Sequence, residues 1–424
     1  MASPAPGSSS RASDERGGSG LVPLEEHRAA ILRAVRPLPA REVAAVDALG
    51  LVLAEPVASR LDLPSFTNSA MDGYAVVAAD LAEVPASLPV RGDIRAGATG
   101  EQRMAAGECW RIMTGAPVPA GADAIVPVEL TDGGTTQVQV REQVEPGNAV
   151  RHQGEDLRVG DPLVPAGSLL LAHHLSAIVA AGVETVQAVP RPRLAVLTTG
   201  DELVPPGQPL APGQIVDSNG PMLRALALCA DVEVVAVEHV RDDDDLGAVV
   251  DRLAESADAV VTSGGVSAGA YEPVKDAYAG GDAVRFVSVA MQPGKPQGFG
   301  LVGGRGVPLF ALPGNPVSSL VSFQEFVLPA LRKLAGRSPE LPVLHARVVD
   351  GWRSPAGRLQ LARVRLARRD GELQVSASGG AGSHILGGLA SAQAIAYVPA
   401  EQTRVEPGEV LAVRMLPGEI VPDE

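Results

Sequence analysis

Asp201, Glu202, Asp242, Asp243 and Glu272 are the residues of this 424-residue chain best placed for chemistry, because each follows a run that reads as a buried strand of one sheet. Hard carboxylate oxygens gathered in one crevice suit Mg2+, which takes a few carboxylates together with phosphate oxygens and water. The rest of the acidic run, Asp244 and Asp245, reads as the solvated start of a helix, where carboxylates favour the positive end of the dipole. Thr198, Thr199 and Gly200 stand beside the first pair of acids. Hydroxyls, a glycine and carboxylates directly after a buried strand make a poor core but a good site.

The glycine-rich segment SGGVSAG, residues 263–269, supplies backbone N–H groups able to approach an anion. Its letters also contain G-V-S-A-G, the pattern of a hydrolase nucleophile elbow. Gly269 and Pro273 break the helix which that motif requires, and the later histidines, His345 and His384, fall in a predicted β region, so hydrolysis at Ser267 is set aside. Lys295, pinned between prolines in PGKP, is a well-held cation for a phosphate or another oxyanion. It is not a Walker lysine, since no glycine stands at the required spacing and Pro296 replaces the Ser/Thr. Asn315 in LPGNP can cap a helix that begins near Pro316. His173 and His174 are adjacent, not four apart, and read as helix surface.

The elements that must hold these groups alternate between strand and helix. Residues 194–197 form a continuous apolar run, the mark of a strand buried on both faces. Ser218 can cap a helix carrying Met222, Leu223, Leu226 and Leu228. Further strands are predicted at 232–237, 259–261, 286–289 and 307–311, with a helix through Val249, Val250 and Leu253 and a last helix through Val321, Phe323, Phe326 and Leu331. Residues 191–337 therefore read as a doubly wound parallel sheet, whose ligands sit beyond the carboxyl ends of the strands.

The flanks read differently. Residues 1–20 have the composition of a disordered tail. Helices are predicted at 24–35, 43–53 and 169–181, and residues 21–61 with 151–190 form one discontinuous domain. A β module, 62–150, is inserted between them, with a hairpin joining 126–130 to 137–140 across Asp132, Gly133 and Gly134. Within it, the long loop around Asp72 keeps the bulky Met71 and Tyr74, which marks it as functional. After Gly336 the alternation has period two, Asp370-Gly371 signals a hairpin, and 338–424 read as a C-terminal β-barrel.

Composition sets bounds. A formal charge of −15 argues against nucleic acid, because neutralising phosphates needs a basic face. An anionic substrate would have to be held by local groups or a metal against that overall field. Cys109 and Cys229 have no metal-like spacing and imply free thiols in a reducing compartment. The start lacks a signal pattern and the most apolar helix is too short to span a bilayer, so a cytoplasmic protein without a membrane partner is expected.

Taken together, PSFTNSAMDGYAV, RIMTGAPVP, RHQGED, TTGDEL, IVDSN, RDD, SGGVSAG, PGKP, LPGNPVS and GSH resemble, in order, the molybdopterin molybdenumtransferases, the MoeA and gephyrin E-domain family. The resemblance runs from about Leu24 to the C-terminus. It implies an elongated homodimer that takes adenylylated molybdopterin and molybdate, hydrolyses the adenylyl bond with Mg2+ and releases AMP. It further implies a site shared between subunits: Glu202, Asp242, Ser263, Gly264, Gly265, Ser267 and Lys295 from one, with Asp72 and Thr114 from the other. Asp72, Thr114, Glu202 and Asp242 would be catalytic, and Glu202, Asp242 and Glu272 would hold the metal. Thr199, Gly200, Asp201, Ser218, Lys275, Pro313 and Asn315 would bind substrate, while Arg363 and Ser383 occupy positions where the family places oxyanion-binding groups. The chain departs from the family at Thr67 and Glu272, where Asp is usual, and at Ser288 and Gln292, where Lys is usual. The alternatives are a molybdopterin adenylyltransferase, which needs only the sheet domain, and a non-catalytic molybdopterin-binding scaffold.

Overall fold

A computed structural model of the chain describes residues 20–266, 272–380, 382 and 386–423. The predicted disordered tail, through residue 19, lies outside them, as do Ser267, Ser383 and His384. The chain divides into two units, one containing residues through Pro39 and from Val189 onward, the other Ala40–Ala188.

The first unit is built on the Arg193–Thr199 strand. It pairs in parallel with Glu233–Val240 on one side and Ala259–Ser263 on the other, and Ala259–Ser263 pairs in parallel with Val307–Leu312. Side chains alternate across the sheet with period two. Leu194 and Val196 enter a core with Leu223, Val317 and Phe326, whereas Ala195 and Leu197 enter another with Val250 and Leu253. That is why the run at 194–197 is apolar throughout.

Beyond Val307–Leu312 the sheet becomes mixed. Pro296–Val302, not foreseen as a strand, runs antiparallel to both Val307–Leu312 and Val284–Val289, with its proline at the first position, where no ladder bond is lost. Leu21–Val22 adds a parallel edge beside Val284–Val289. The first helix, Leu24–Ala34, buries Leu24 and Ile31 in this unit's core. Residues 21–39 therefore pack with the sheet and not with the discontinuous domain assigned to them, because strand pairing and Leu24, Ile31 and Val35 tie them there.

His27 on that helix is buried, 4.9 Å edge-on from the ring of Phe326. Burial, aided by the Arg285 charge, pushes its pKa down from 6.5 to about 4. The folded chain then binds fewer protons than the unfolded chain between those values. The contribution is fully present above the unfolded value and is lost as pH falls toward the folded one. Between neutral pH and pH 4 the expected loss is on the order of 2–3 kcal/mol. Melting curves of wild type and His27→Leu should diverge in slope over that window; parallel slopes would refute the assignment.

Two cap expectations need correction. Helix Asn219–Cys229 is capped by Asp217, whose Oδ1 accepts from the N–H groups of Asn219 and Gly220, each at 3.0 Å, while Ser218 makes no capping bond. The helix at Pro316–Ser322 likewise has no side-chain cap from Asn315. By contrast, Asp245 Oδ1 does cap Leu246–Ser256 by accepting from Ala248 N at 3.0 Å. The last helix continues through a π-helical turn, Phe323–Val327, into Leu328–Leu334.

The C-terminal strands close a barrel. Leu359–Arg369 pairs with Glu372–Ala377 and again with Ala394–Val398, and the circuit is completed through Leu344–Val348 and Val410–Met415. Asp370 and Gly371 turn the predicted hairpin with φ of 52° and 77°, the two left-handed residues that match the twist of the strands. Met291–Gln292 pairs in parallel with the start of Leu359–Arg369, joining the PGKP segment to the barrel.

In the second unit, Gly73–Val76 lies inside a five-stranded sheet, between Cys109–Ile112 and Ala124–Pro127. The expected hairpin across 132–134 does not form. Ala124–Pro127 is taken by Gly73–Val76 and Gln137–Val140 by Ala86–Ile94, leaving only a Thr131–Val140 bridge. Nor is there a helix at 43–53. Arg41–Ala44 and Val52–Leu53 flank a short 3-10 turn and both join Thr185–Val189, so long-range pairing outweighs local periodicity. Among the described residues, no helix is long and apolar enough to cross a membrane.

Candidate functional site

Adjacent parallel strands end together at Thr199, Ser263 and Leu312, and a cleft of about 970 Å³ opens beyond them. Thr199, Gly200, Glu202, Ser218, Asp242, Ser263, Gly264, Gly265, Glu272, Lys295, Pro313 and Asn315 all line it. Asp201 stands just behind this wall, its Oδ1 accepting from Asp242 N at 3.2 Å. Lys275 does not line the cleft; it lies in the short Pro273–Ala277 helix, where its N–H donates to Gly265 O at 3.3 Å. Sequence-distant residues thus converge because the central parallel strands present their carboxyl ends on one edge, while Lys295 arrives there from the amino end of the antiparallel Pro296–Val302 strand.

Close backbone approach explains the glycines. Gly200 has φ +132°, and a Cβ there would lie 2.3 Å from Glu202 Oε2, so glycine lets the carboxylate fold over the strand end. At Gly264, φ +106°, a Cβ would meet Thr199 Oγ1 at 2.6 Å. The Gly264 N–H is already committed to Leu312 O at 3.0 Å, which corrects the expectation that it faces an anion. It ties neighbouring strand ends together and shapes the floor.

Glu202 and Asp242 are exposed in the cleft and make no side-chain hydrogen bond or ion pair among the described residues, whereas Glu272 is buried. Uncommitted carboxylates of this kind fit a hard, oxygen-seeking cation. No group of three His, Cys, Asp or Glu side chains among the described residues could hold a metal ion by itself. The three-carboxylate set expected from Glu202, Asp242 and Glu272 is therefore not assembled. A magnesium ion here would take at most two of these groups at once and complete its shell from substrate and water.

The floor is polar and incompletely satisfied. Asn219 donates from Nδ2 to Gly314 O at 2.6 Å and to Ser263 Oγ at 2.9 Å. Asp217 Oδ2 accepts from Thr198 Oγ1 at 2.9 Å. Thr199 Oγ1 and Asn219 Oδ1 are buried without a partner. Asn219 and Asp217 are the residues that reading the chain missed. Their signal was the D-S-N triplet after Ile215 and Val216, where Ser218 drew attention as a cap although all three types cap helices well.

A smaller cavity of about 270 Å³ lies against the barrel and shares Gln292 and Pro293 with the main cleft. Arg363 lines it, almost wholly buried, and burial pushes its pKa below the ordinary guanidinium value. Its Nη2 donates to Gly380 O at 2.5 Å and Gly382 O at 3.3 Å. At Gln292, where the sequence lacks a lysine, Arg358 Nη1 donates to the amide oxygen at 3.0 Å, bringing a cation from the barrel to the same wall.

In the second unit Asp72 and Thr114 meet. Thr114 donates to Asp72 Oδ1 from its backbone N–H at 2.7 Å and its hydroxyl at 2.8 Å. These bonds, the backbone one foremost, hold the Asp72 carboxyl below its usual pKa and therefore ionised at neutral pH. Of the two bulky residues singled out beside Asp72, Met71 is exposed in the loop, whereas Tyr74 is buried in the Gly73–Val76 strand and donates from its hydroxyl to Gly134 O at 2.9 Å.

Family models describing the MoeA N-terminal region (domains I and II), a probable molybdopterin-binding domain and the MoeA C-terminal region (domain IV) match residues 22–182, 195–333 and 345–416. Molybdopterin molybdenumtransferase 2 of Mycobacterium tuberculosis is 45% identical over 405 residues, covering 92% of this chain and 98% of that protein. The molybdopterin molybdenumtransferase of Nostoc is 37% identical over 380 residues, covering 87% of each. A crystal structure of a molybdopterin biosynthesis MoeA protein from Pyrococcus horikoshii superposes with a TM-score of 0.78 at 30% identity, covering 94% of this chain and all of that one.

Proposed function

Because the chain belongs to the MoeA family of molybdopterin molybdenumtransferases, enzymes of molybdenum cofactor biosynthesis, we propose that its cleft binds adenylylated molybdopterin and molybdate. In this reading the adenylyl bond is hydrolysed with Mg2+, AMP leaves and molybdenum passes to the dithiolene. The observation that carries it is the pair of uncommitted carboxylates, Glu202 and Asp242, lining one cleft together with Lys295, Thr199 and Ser263. An adenylyltransferase would need the sheet domain alone, and the family match extends over both flanks of it.

Each group has a part. Glu202 and Asp242 hold the metal and not the substrate, since carboxylates repel a phosphoanhydride directly. Magnesium, when bound, neutralises the phosphoanhydride oxygens and acts as a Lewis acid at phosphorus. Lys295 holds a phosphate oxygen as a point charge against the net −15 of the chain. Molybdate, a tetrahedral dianion, suits the buried Arg363 together with hydroxyl and amide donors, and Ser383 belongs with that set. Asp72, oriented by Thr114, completes the centre from the second subunit of a cytoplasmic homodimer.

AMP release from adenylylated molybdopterin, with and without molybdate and Mg2+, tests the reaction. Consumption of ATP, or no AMP, would exclude it. The shared site has its own test. Asp72→Ala and Asp242→Ala should each be inactive, yet an equal mixture of reassorted subunits should regain about a quarter of wild-type activity, because half the dimers are mixed and each holds one intact site. No recovery would place Asp72 and Asp242 of one chain in the same centre.

A further inference from the structure

The cleft floor carries two polar atoms that the protein itself leaves unmatched. Thr199 and Asn219 are each more than nine-tenths buried, and neither Thr199 Oγ1 nor Asn219 Oδ1 has a hydrogen-bond partner. Both residues line the cleft. Leaving such groups unmade costs stability, so a native site that does so is explained when a ligand supplies the partner.

Asn219 cannot relieve the cost by turning its amide over. Its Nδ2 donates at 2.6 Å to the Gly314 carbonyl, which can only accept, and at 2.9 Å to Ser263 Oγ. Oδ1 is therefore fixed as an acceptor awaiting a donor. Thr199 Oγ1 stands over Gly264, 2.6 Å from where a Cβ would be, and Gly264 Cα lies 3.4 Å from the corresponding point of Gly314. The two orphaned atoms thus flank a single patch of backbone. One must accept a hydrogen bond and the other carries a proton to give.

Phosphate and molybdate oxygens offer acceptors alone, and the carbonyl dipole of Asn219 would repel them. The planar heterocycles of the proposed substrate, pterin and adenine, each carry an N–H donor next to an acceptor. We propose that Asn219 Oδ1 and Thr199 Oγ1 read that edge of the ring, Asn219 accepting from the N–H and Thr199 donating to the neighbouring acceptor. The inference rests on the substrate reading above and names which part of the molecule the sheet edge recognises.

Thr199→Val tests it, removing the hydroxyl while keeping the branched shape. Binding is measured with AMP, which carries only the adenine edge, and with 6-hydroxymethylpterin, which carries only the pterin edge. The variant should weaken one of the two by about tenfold and leave the other within about twofold, identifying the ring. Removing the N–H donor of that probe, by N3-methylation of the pterin or N6,N6-dimethylation of AMP, should weaken binding to wild type to a similar extent, through Asn219. The melting temperature should stay the same or rise, because an unsatisfied buried hydroxyl has gone, and Thr199→Ser should restore affinity. Unchanged binding of both probes, failure of either to bind wild type, a lowered melting temperature or an effect confined to magnesium dependence would each overturn the inference. These are equilibrium readouts, so absence of AMP release by wild type would sink the reaction and leave this result legible.

Discussion

Asp242→Ala and Glu202→Ala, made singly, should each lower magnesium-dependent AMP release by about 100-fold or more, since loss of even an outer-shell partner of a metal site costs 10–100-fold. Both side chains are exposed at strand ends and hold no partner among the described residues. Their removal should therefore shift stability by no more than about 0.5 kcal/mol, as for ordinary surface positions. That contrast between dead chemistry and an intact fold distinguishes a metal ligand from a structural acid. Raising the magnesium concentration should partly rescue Glu202→Ala, because substrate oxygens and water can fill a shell that has lost one carboxylate. Full activity in both variants would remove the two acids from the centre.

The second large effect concerns stability. Glu325 is fully buried in the π-helical turn and its carboxylate gathers three elements: Arg28 of the first helix at 3.1 Å, Arg414 of the barrel at 3.2 Å and the Tyr397 hydroxyl. Arg414 also lies 5.0 Å from the centre of the Tyr397 ring. Burial pushes the Glu325 carboxyl up, while the hydrogen bond from Tyr397 and then the two guanidinium groups pull it back. Glu325→Ala would leave two guanidinium groups and a hydroxyl facing a space without an acceptor. Breaking a buried ion pair from one side costs about 3–5 kcal/mol. The melting temperature should fall by on the order of 10 °C. Glu325→Gln, which keeps the shape and an acceptor, should cost clearly less. Equal effects of the two substitutions would mean that packing and not charge holds the junction.

Much of this was legible from the chain. The apolar run at 194–197 could be read as a central strand because a strand covered on both faces has no polar position. The Asp370-Gly371 turn followed from the two left-handed conformations it needs, which few other pairs supply cheaply. The crowding of acids and glycines after strand ends marked the cleft for a geometrical reason: parallel strands point all their carboxyl ends one way. Other features left no local trace. Residues 43–53 have helical spacing, yet their fate is set by a strand more than a hundred residues away, Thr185–Val189. Glu325 stands between Phe323 and Phe326 as a charged residue with no local sign of burial, and only the π-helical turn and the Tyr397 and Arg414 partners from the barrel make it interior.

The sequence by itself determined the central strands and helices of the sheet domain, the strand ends where chemistry gathers and the family, because periodicity, turn chemistry and ordered motifs are local properties. The tertiary structure alone decided which atoms are spent and which remain available. It committed the Gly264 amide to Leu312, moved the helix cap from Ser218 to Asp217, and fixed the Asn219 amide with its oxygen unmatched. A hydrogen bond is settled by distance and direction between groups far apart in the chain, and no spacing of letters encodes that.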